Sequence, residues 1–98
     1  MSEFKEAINS ESPTLVDFTA TWCGPCQTLA PILKEVAGQV KDQARILKVD
    51  IDRNPDAARF YQVQSVPTLI LFKKGQVKWR QSGVVPGSMI LDEIRKNI

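Results

Sequence analysis

TLVDFTATWCGPCQTLAPILKEVAGQV, running from Thr14 to Val40, is the stretch that decides the fold. Its first part, Thr14 to Ala20, is rich in β-branched and aromatic residues and reads as a strand. Its last part spaces Leu29, Ile32, Leu33, Val36, Ala37 and Val40 at i, i+3, i+4 and i+7, the pattern of a helix with one apolar face. Thr21 to Pro25 turns the one into the other and begins the pair Cys23 and Cys26. Pro31 removes the bond its N–H would make to the Gln27 carbonyl, which predicts a kink in the helix.

Downstream, Arg45 to Ile51 reads as a second strand. Two strands joined by a helical crossover form a right-handed βαβ unit with the strands parallel. Upstream, Ser2 to Asn9 predicts a short helix with Phe4, Ala7 and Ile8 on one side, followed by a loop from Ser10 to Pro13. Asn54-Pro55 predicts an N-cap with proline at the first helical position, opening a helix to about Tyr61. Thr68 to Phe72 and Val77 to Ser82 flank Lys74-Gly75 as an antiparallel hairpin. A last helix, near Ser88 to Asn97, is expected to bury Ile90, Leu91 and Ile94, with Ile98 as a further candidate. The order predicts a single α/β domain over residues 1–98: a mixed four-stranded sheet with helices on both faces. In open sheets of this kind the site lies beyond the carboxyl ends of the parallel strands, where the cysteine pair falls.

Composition narrows the chemistry. At 98 residues the chain has room for one domain, and 43% hydrophobic with 24% charged residues is ordinary for a globule and excludes disorder. No apolar run approaches the roughly 20 residues that span a bilayer. Met1-Ser2-Glu3-Phe4-Lys5 does not read as a signal peptide, so a cytoplasmic location is expected. Thirteen Lys and Arg against eleven Asp and Glu leave +2 with no long run of one sign, which points to neither nucleic acid nor a membrane as partner. There is no histidine, so the commonest general base and metal ligand are both missing. Two cysteines fall short of the four ligands of a tetrahedral zinc site, which would need carboxylates or a second chain. No cofactor and no metal are expected.

Cys23-Gly24-Pro25-Cys26 is the sharpest signal. At a helix start, residues i and i+3 lie roughly 5–6 Å apart, within the Cα separation a disulfide needs. Oxidised and reduced forms can then share nearly one backbone. Cys23 faces the unpaired N–H groups and the positive end of the helix, so its thiol pKa should fall and its nucleophilicity rise. Cys26, one turn inside, is expected to be more shielded and to act as the resolving thiol. Half a metal site, or two incidental cysteines, are the plain alternatives. Asp17 stands opposite Val16 and Phe18 on its strand; on a half-exposed strand it would be solvated. On a central strand it would be buried, with a raised pKa.

Trp22-Cys23-Gly24-Pro25-Cys26 resembles the thioredoxin active-site motif. Val16-Asp17-Phe18, Ala30-Pro31, Val49-Asp50-Ile51-Asp52, Val66-Pro67-Thr68 and Phe72-Lys73-Lys74-Gly75 resemble that family's other landmarks, in order, so the resemblance covers the chain from about Phe4. It implies a thioredoxin fold and a protein disulfide reductase working through a Cys23–Cys26 couple. Asp17 would be the buried acid that takes the proton of Cys26, through water, and Lys48 the lysine beside it. A cis Val66–Pro67 bond would face the cysteines. Trp22, Gly24, Pro25, Val66, Pro67, Gly83 and Val84 would frame the surface that docks a target, pairing with it like an added strand. A flavoprotein thioredoxin reductase supplied by NADPH would return the electrons, disulfide-containing proteins would be the targets, and the chain would work as a monomer. A rival within the same chemistry is an oxidant or isomerase of secreted proteins. From another class comes a structural or binding module whose cysteines are not essential.

The chain departs from the family pattern in three places. The opening strand is missing, leaving four strands for five and making Arg45–Ile51 an edge. Gln27 stands where a lysine commonly follows the motif. Thr19 holds a place often given to an aromatic.

Overall fold

The computed structural model describes residues 1–98. Helix α1 (Ser2–Ile8) leads into strand β1 (Thr14–Thr19), helix α2 (Gly24–Val40), a 3₁₀ turn at Lys41–Gln43, and strand β2 (Arg45–Asp50). Helix α3 (Pro55–Phe60), strands β3 (Thr68–Lys73) and β4 (Gln76–Ser82), and helix α4 (Gly87–Lys96) complete the chain. The sheet has four strands in the order β2-β1-β3-β4, with β2 and β4 as its edges. β1 and β2 are parallel, and the other two pairs are antiparallel. Element order, mixed sheet and the edge position of β2 are as the sequence predicts.

Alternation along β1 makes two cores. Leu15 packs on one face with Leu29, Leu33 and Val36 of α2 and Ile90 and Ile94 of α4. Val16 and Phe18 pack on the other with Ile8, Val49, Ala57 and Phe72. Phe4 and Tyr61 close that second core, Tyr61 meeting Phe72 edge-on with ring centroids 5.1 Å apart. Asp17 shares its face with Leu15, so its carboxylate lies beneath α2 rather than in solvent.

Pro31 lies inside α2, which continues to Val40. Other details differ from the expectations. Ala37 and Ile98, placed in apolar series, are exposed. Ala37 lies at the rim of the α2 face, and Ile98 lies beyond the last turn of α4. Asn54 does occupy the N-cap of α3, but its side chain makes no capping bond. It donates from Nδ2 back to the Asp50 carbonyl at 3.1 Å, which tightens the turn after β2 instead. Lys73, Lys74 and Lys78 of the β3–β4 hairpin and the distant Lys96 of α4 line one polar groove.

Candidate functional site

The strand-to-helix turn after β1 builds the redox centre. Cys23 N–H bonds to the Ala20 carbonyl at 3.2 Å, and Cys23 itself is the N-cap of α2 in an extended conformation. Its sulfur takes the place of a capping oxygen, accepting the Cys26 N–H at 3.2 Å. Pro25 fills the first helical turn, where its missing N–H costs nothing. Cys23 and Cys26 are joined as a disulfide with Cα atoms 5.3 Å apart. A sulfur that accepts a backbone N–H at the positive end of a helix is stabilised as thiolate once the bond is reduced.

The expected difference in shielding is not seen. Cys23 is 4% exposed and Cys26 5%. Both pack with Ala20, Val66 and Ile51, because the turn folds the first cysteine inward instead of leaving it at the rim. What distinguishes them is their surroundings. Cys23 Sγ lies 3.6 Å from the Val66 carbonyl oxygen, close enough to donate to it in the dithiol form. Cys26 instead lines an open groove of about 300 Å³ together with Gln27, Lys48 and Asp50.

Of the residues expected to form a docking face, Val66 packs on Cys23, and Pro67 and Gly83 adjoin it. The Val66–Pro67 bond is cis. Gly83 N–H bonds to the Pro67 carbonyl at 2.9 Å, joining the loop before β3 to the loop after β4. Gly83 does so at φ 87°, in the left-handed region that glycine occupies without strain. Trp22, next to the buried Cys23, is 66% exposed, and Val84, next to Gly83, is 41% exposed. Beyond its chain neighbours and its own helix backbone, nothing lies within 4 Å of where a side chain at Gly24 would begin.

Asp17 and Lys48 sit opposite each other in the β1–β2 register. Asp17 is 2% exposed, and its Oδ1 has no hydrogen-bond partner. Burial pushes its carboxyl from the ordinary 3.8 up to about 6, and Lys48 pulls the other way. Burial wins because the lysine is exposed, where water and salt screen its charge. Asp17 and Cys26 do not share a cavity. Asp17 lines a groove of about 230 Å³ adjoining that of Cys26, with Ala30 and Lys48 forming walls of both.

Two residues at this site escaped the sequence reading. Asp52 Oδ2 accepts the Trp22 indole N–H at 2.9 Å, fixing the orientation of the exposed ring. Asp50 Oδ1 in turn accepts the Asp52 N–H at 2.8 Å and so sets the turn that presents Asp52. Both lie in Val49-Asp50-Ile51-Asp52, where the signal in the sequence is an acid–apolar–acid alternation at the end of a strand.

The model of the thioredoxin family matches residues 1–96. Thioredoxin 1 of Chlorobaculum tepidum is 45% identical over 89 residues, covering 91% of this chain and 88% of that one. A bifunctional thioredoxin reductase/thioredoxin of Mycobacterium leprae is 44% identical over 93 residues, which are 95% of this chain and 20% of that protein. The oxidised crystal structure of mitochondrial thioredoxin 3 from Saccharomyces cerevisiae superposes with a TM-score of 0.87 at 32% identity, over 97% of this chain and 88% of that one. With a cysteine pair at disulfide distance on a helix N-terminus within that fold, the chain belongs to the thioredoxin family and is a protein-disulfide oxidoreductase working by thiol–disulfide exchange.

Proposed function

We propose that the chain is a reductant of protein disulfides in which Cys23 attacks and Cys26 resolves. The Cys23 thiolate attacks one sulfur of a target disulfide, forming a mixed disulfide and expelling the other sulfur as thiolate. Asp17 accepts the Cys26 proton through water in the adjoining grooves, and Lys48 tunes that acid. The Cys26 thiolate then attacks Cys23 Sγ and displaces the second target sulfur. Two electrons pass to the target, whose two thiolates take up protons, and the Cys23–Cys26 disulfide remains. The observation that carries this assignment is the Cys23 sulfur accepting the Cys26 N–H beside the Val66 carbonyl.

Trp22, Gly24, Pro25, Val66, Pro67, Gly83 and Val84 form the docking face, with the target's backbone pairing to Val66 as an added strand. A thioredoxin reductase returns the electrons; the Mycobacterium leprae relative, whose name joins both activities in one chain, supports that pairing. The chain acts as one domain and as a monomer in the cytoplasm, without nucleic acid or membrane as partner; no helix is long and apolar enough to cross a membrane. Equilibration of the couple with defined thiol buffers tests the direction of electron flow. A potential near the roughly −270 mV characteristic of thioredoxin makes it a reductant, whereas one near about −120 mV makes it an oxidant and overturns the reading.

A further inference from the structure

Arg80 lies on β4, distant in sequence from the cysteines, and its guanidinium reaches to the end of α3. One N–H group donates to the Tyr61 carbonyl and another, at 2.8 Å, to that of Gln62. These carbonyls belong to a specific helix ending. The Val63 N–H returns to the Ala58 carbonyl at 2.8 Å and the Gln62 N–H to that of Arg59 at 3.0 Å, with Gln62 at φ 54°. That is a Schellman ending, a place where glycine is the unstrained choice. Here a glutamine holds it, and the arginine fork occupies the carbonyls that the turn exposes.

The loop leaving this helix end runs to Val66, whose carbonyl lies 3.6 Å from Cys23 Sγ. Its far end is tied as well. Thr68 Oγ1 donates to the Ser65 carbonyl at 2.7 Å and lies 3.1 Å from Ser82 Oγ. Arg80 and Ser82 are two residues apart on β4, so their side chains leave the same face, opposite Ile70 and Thr68 in register. One edge strand therefore grips both ends of the segment that carries Val66.

We propose that Arg80 is a positioning residue for target docking: through the Tyr61 and Gln62 carbonyls it fixes the loop that presents Val66 to an extended target chain. It sets the affinity for protein disulfides without touching the sulfurs. This rests on the reading of Val66 as the strand-pairing residue. A planar fork can hold two consecutive carbonyls, whereas a lysine ammonium is a single point that satisfies one arrangement less well. A small disulfide needs no strand pairing and is indifferent to the loop.

The test compares reduction of insulin with reduction of a small aromatic disulfide by the wild type, Arg80→Ala, Arg80→Lys and Arg95→Ala, together with the potential of each. Arg80→Ala is expected to raise KM for insulin roughly tenfold while kcat, the small-disulfide rate and the potential change by less than about twofold or not at all. Arg80→Lys restores part of the loss, and Arg95→Ala, which removes the same charge from α4, behaves as wild type. An equal fall for both disulfides, a shifted potential, or an unchanged insulin KM overturns the proposal. If Arg80→Ala does not fold, Arg80→Lys decides alone: a raised insulin KM with the small-disulfide rate kept supports it, and a wild-type KM overturns it. A wild type with no preference for insulin means the docking reading has failed. A preference that survives in Arg80→Ala means that only the role of Arg80 has.

Discussion

The two edges of the sheet surround the disulfide with different chemistry. β2 runs parallel to β1 and sets Lys48 opposite the buried Asp17, on the side where Cys26 lines a groove. β4 runs antiparallel to β3 and holds the loop that brings the Val66 carbonyl to Cys23. On the proposed mechanism, proton handling is gathered beside β2 and the Val66 part of target binding beside β4, while Trp22, held by Asp52 just after β2, lies between them. Changes on the β2 side should alter rates and pH dependence, while changes around the docking face should alter affinity.

The largest expected effect erases the distinction by removing the meeting point. Cys26→Ser should lower turnover by at least about a thousandfold and leave Cys23 joined to its target, visible as a covalent adduct by mass. Failure to trap any target would count against the assignment of the two thiols. Next comes Asp17→Asn, which should slow the resolving step about a hundredfold in single-turnover measurements. The same substitution should stabilise the oxidised protein. In the wild type the folded carboxyl titrates at about 6 against 3.8 ordinarily, so between these values the folded state binds the extra proton and stability falls as pH rises. Asn carries no such penalty, so its advantage should be absent below pH ~4 and reach about 3 kcal/mol above pH ~7. Denaturant titrations at the two ends of that range check it; a pH-independent difference would refute the burial of an ionising Asp17.

Trp22→Ala tests the docking face and should raise KM for a protein disulfide about tenfold with kcat nearly kept. Asp52→Asn, which weakens only the acceptor for the indole, should raise it about threefold. A fall in kcat for either would mean that the docking face also serves the chemistry. The smallest effect belongs to Lys48→Gln. Without the ammonium the Asp17 carboxyl should titrate higher than about 6, and added salt should move the wild type in the same direction. Carboxyl chemical shifts followed against pH would show it.

Much of the β2 side was legible from local pattern. Val16-Asp17-Phe18 alternates, and a strand between two others buries both its faces, so an acid there had to be buried. The cysteine spacing and Pro25 place the redox turn at the start of α2 for local reasons. The contacts between segments distant in the sequence were not legible. The Trp22–Asp52 bond spans thirty residues and the Arg80 fork nearly twenty, and neither distance leaves a periodic trace. The end of α3 was obscured for another reason: Gln62 takes the left-handed position without the glycine that would announce it. The equal burial of the cysteines depends on how the turn folds back on Ala20 and Val66, a tertiary outcome that spacing does not contain.

Lys48 carries one more consequence. Arg45 and Ile51 direct their N–H groups to β1's side of the ladder, so by alternation the N–H and C=O groups of Ile46 and Lys48 face away from the sheet. An open edge invites another chain to add a strand, and a charged lysine on it is a common deterrent. The residue that tempers the buried acid is thus also expected to discourage strand addition at this edge. Lys48→Gln should scatter more light than the wild type as concentration rises, so a change that shifts the buried acid at this position is expected to cost solubility as well.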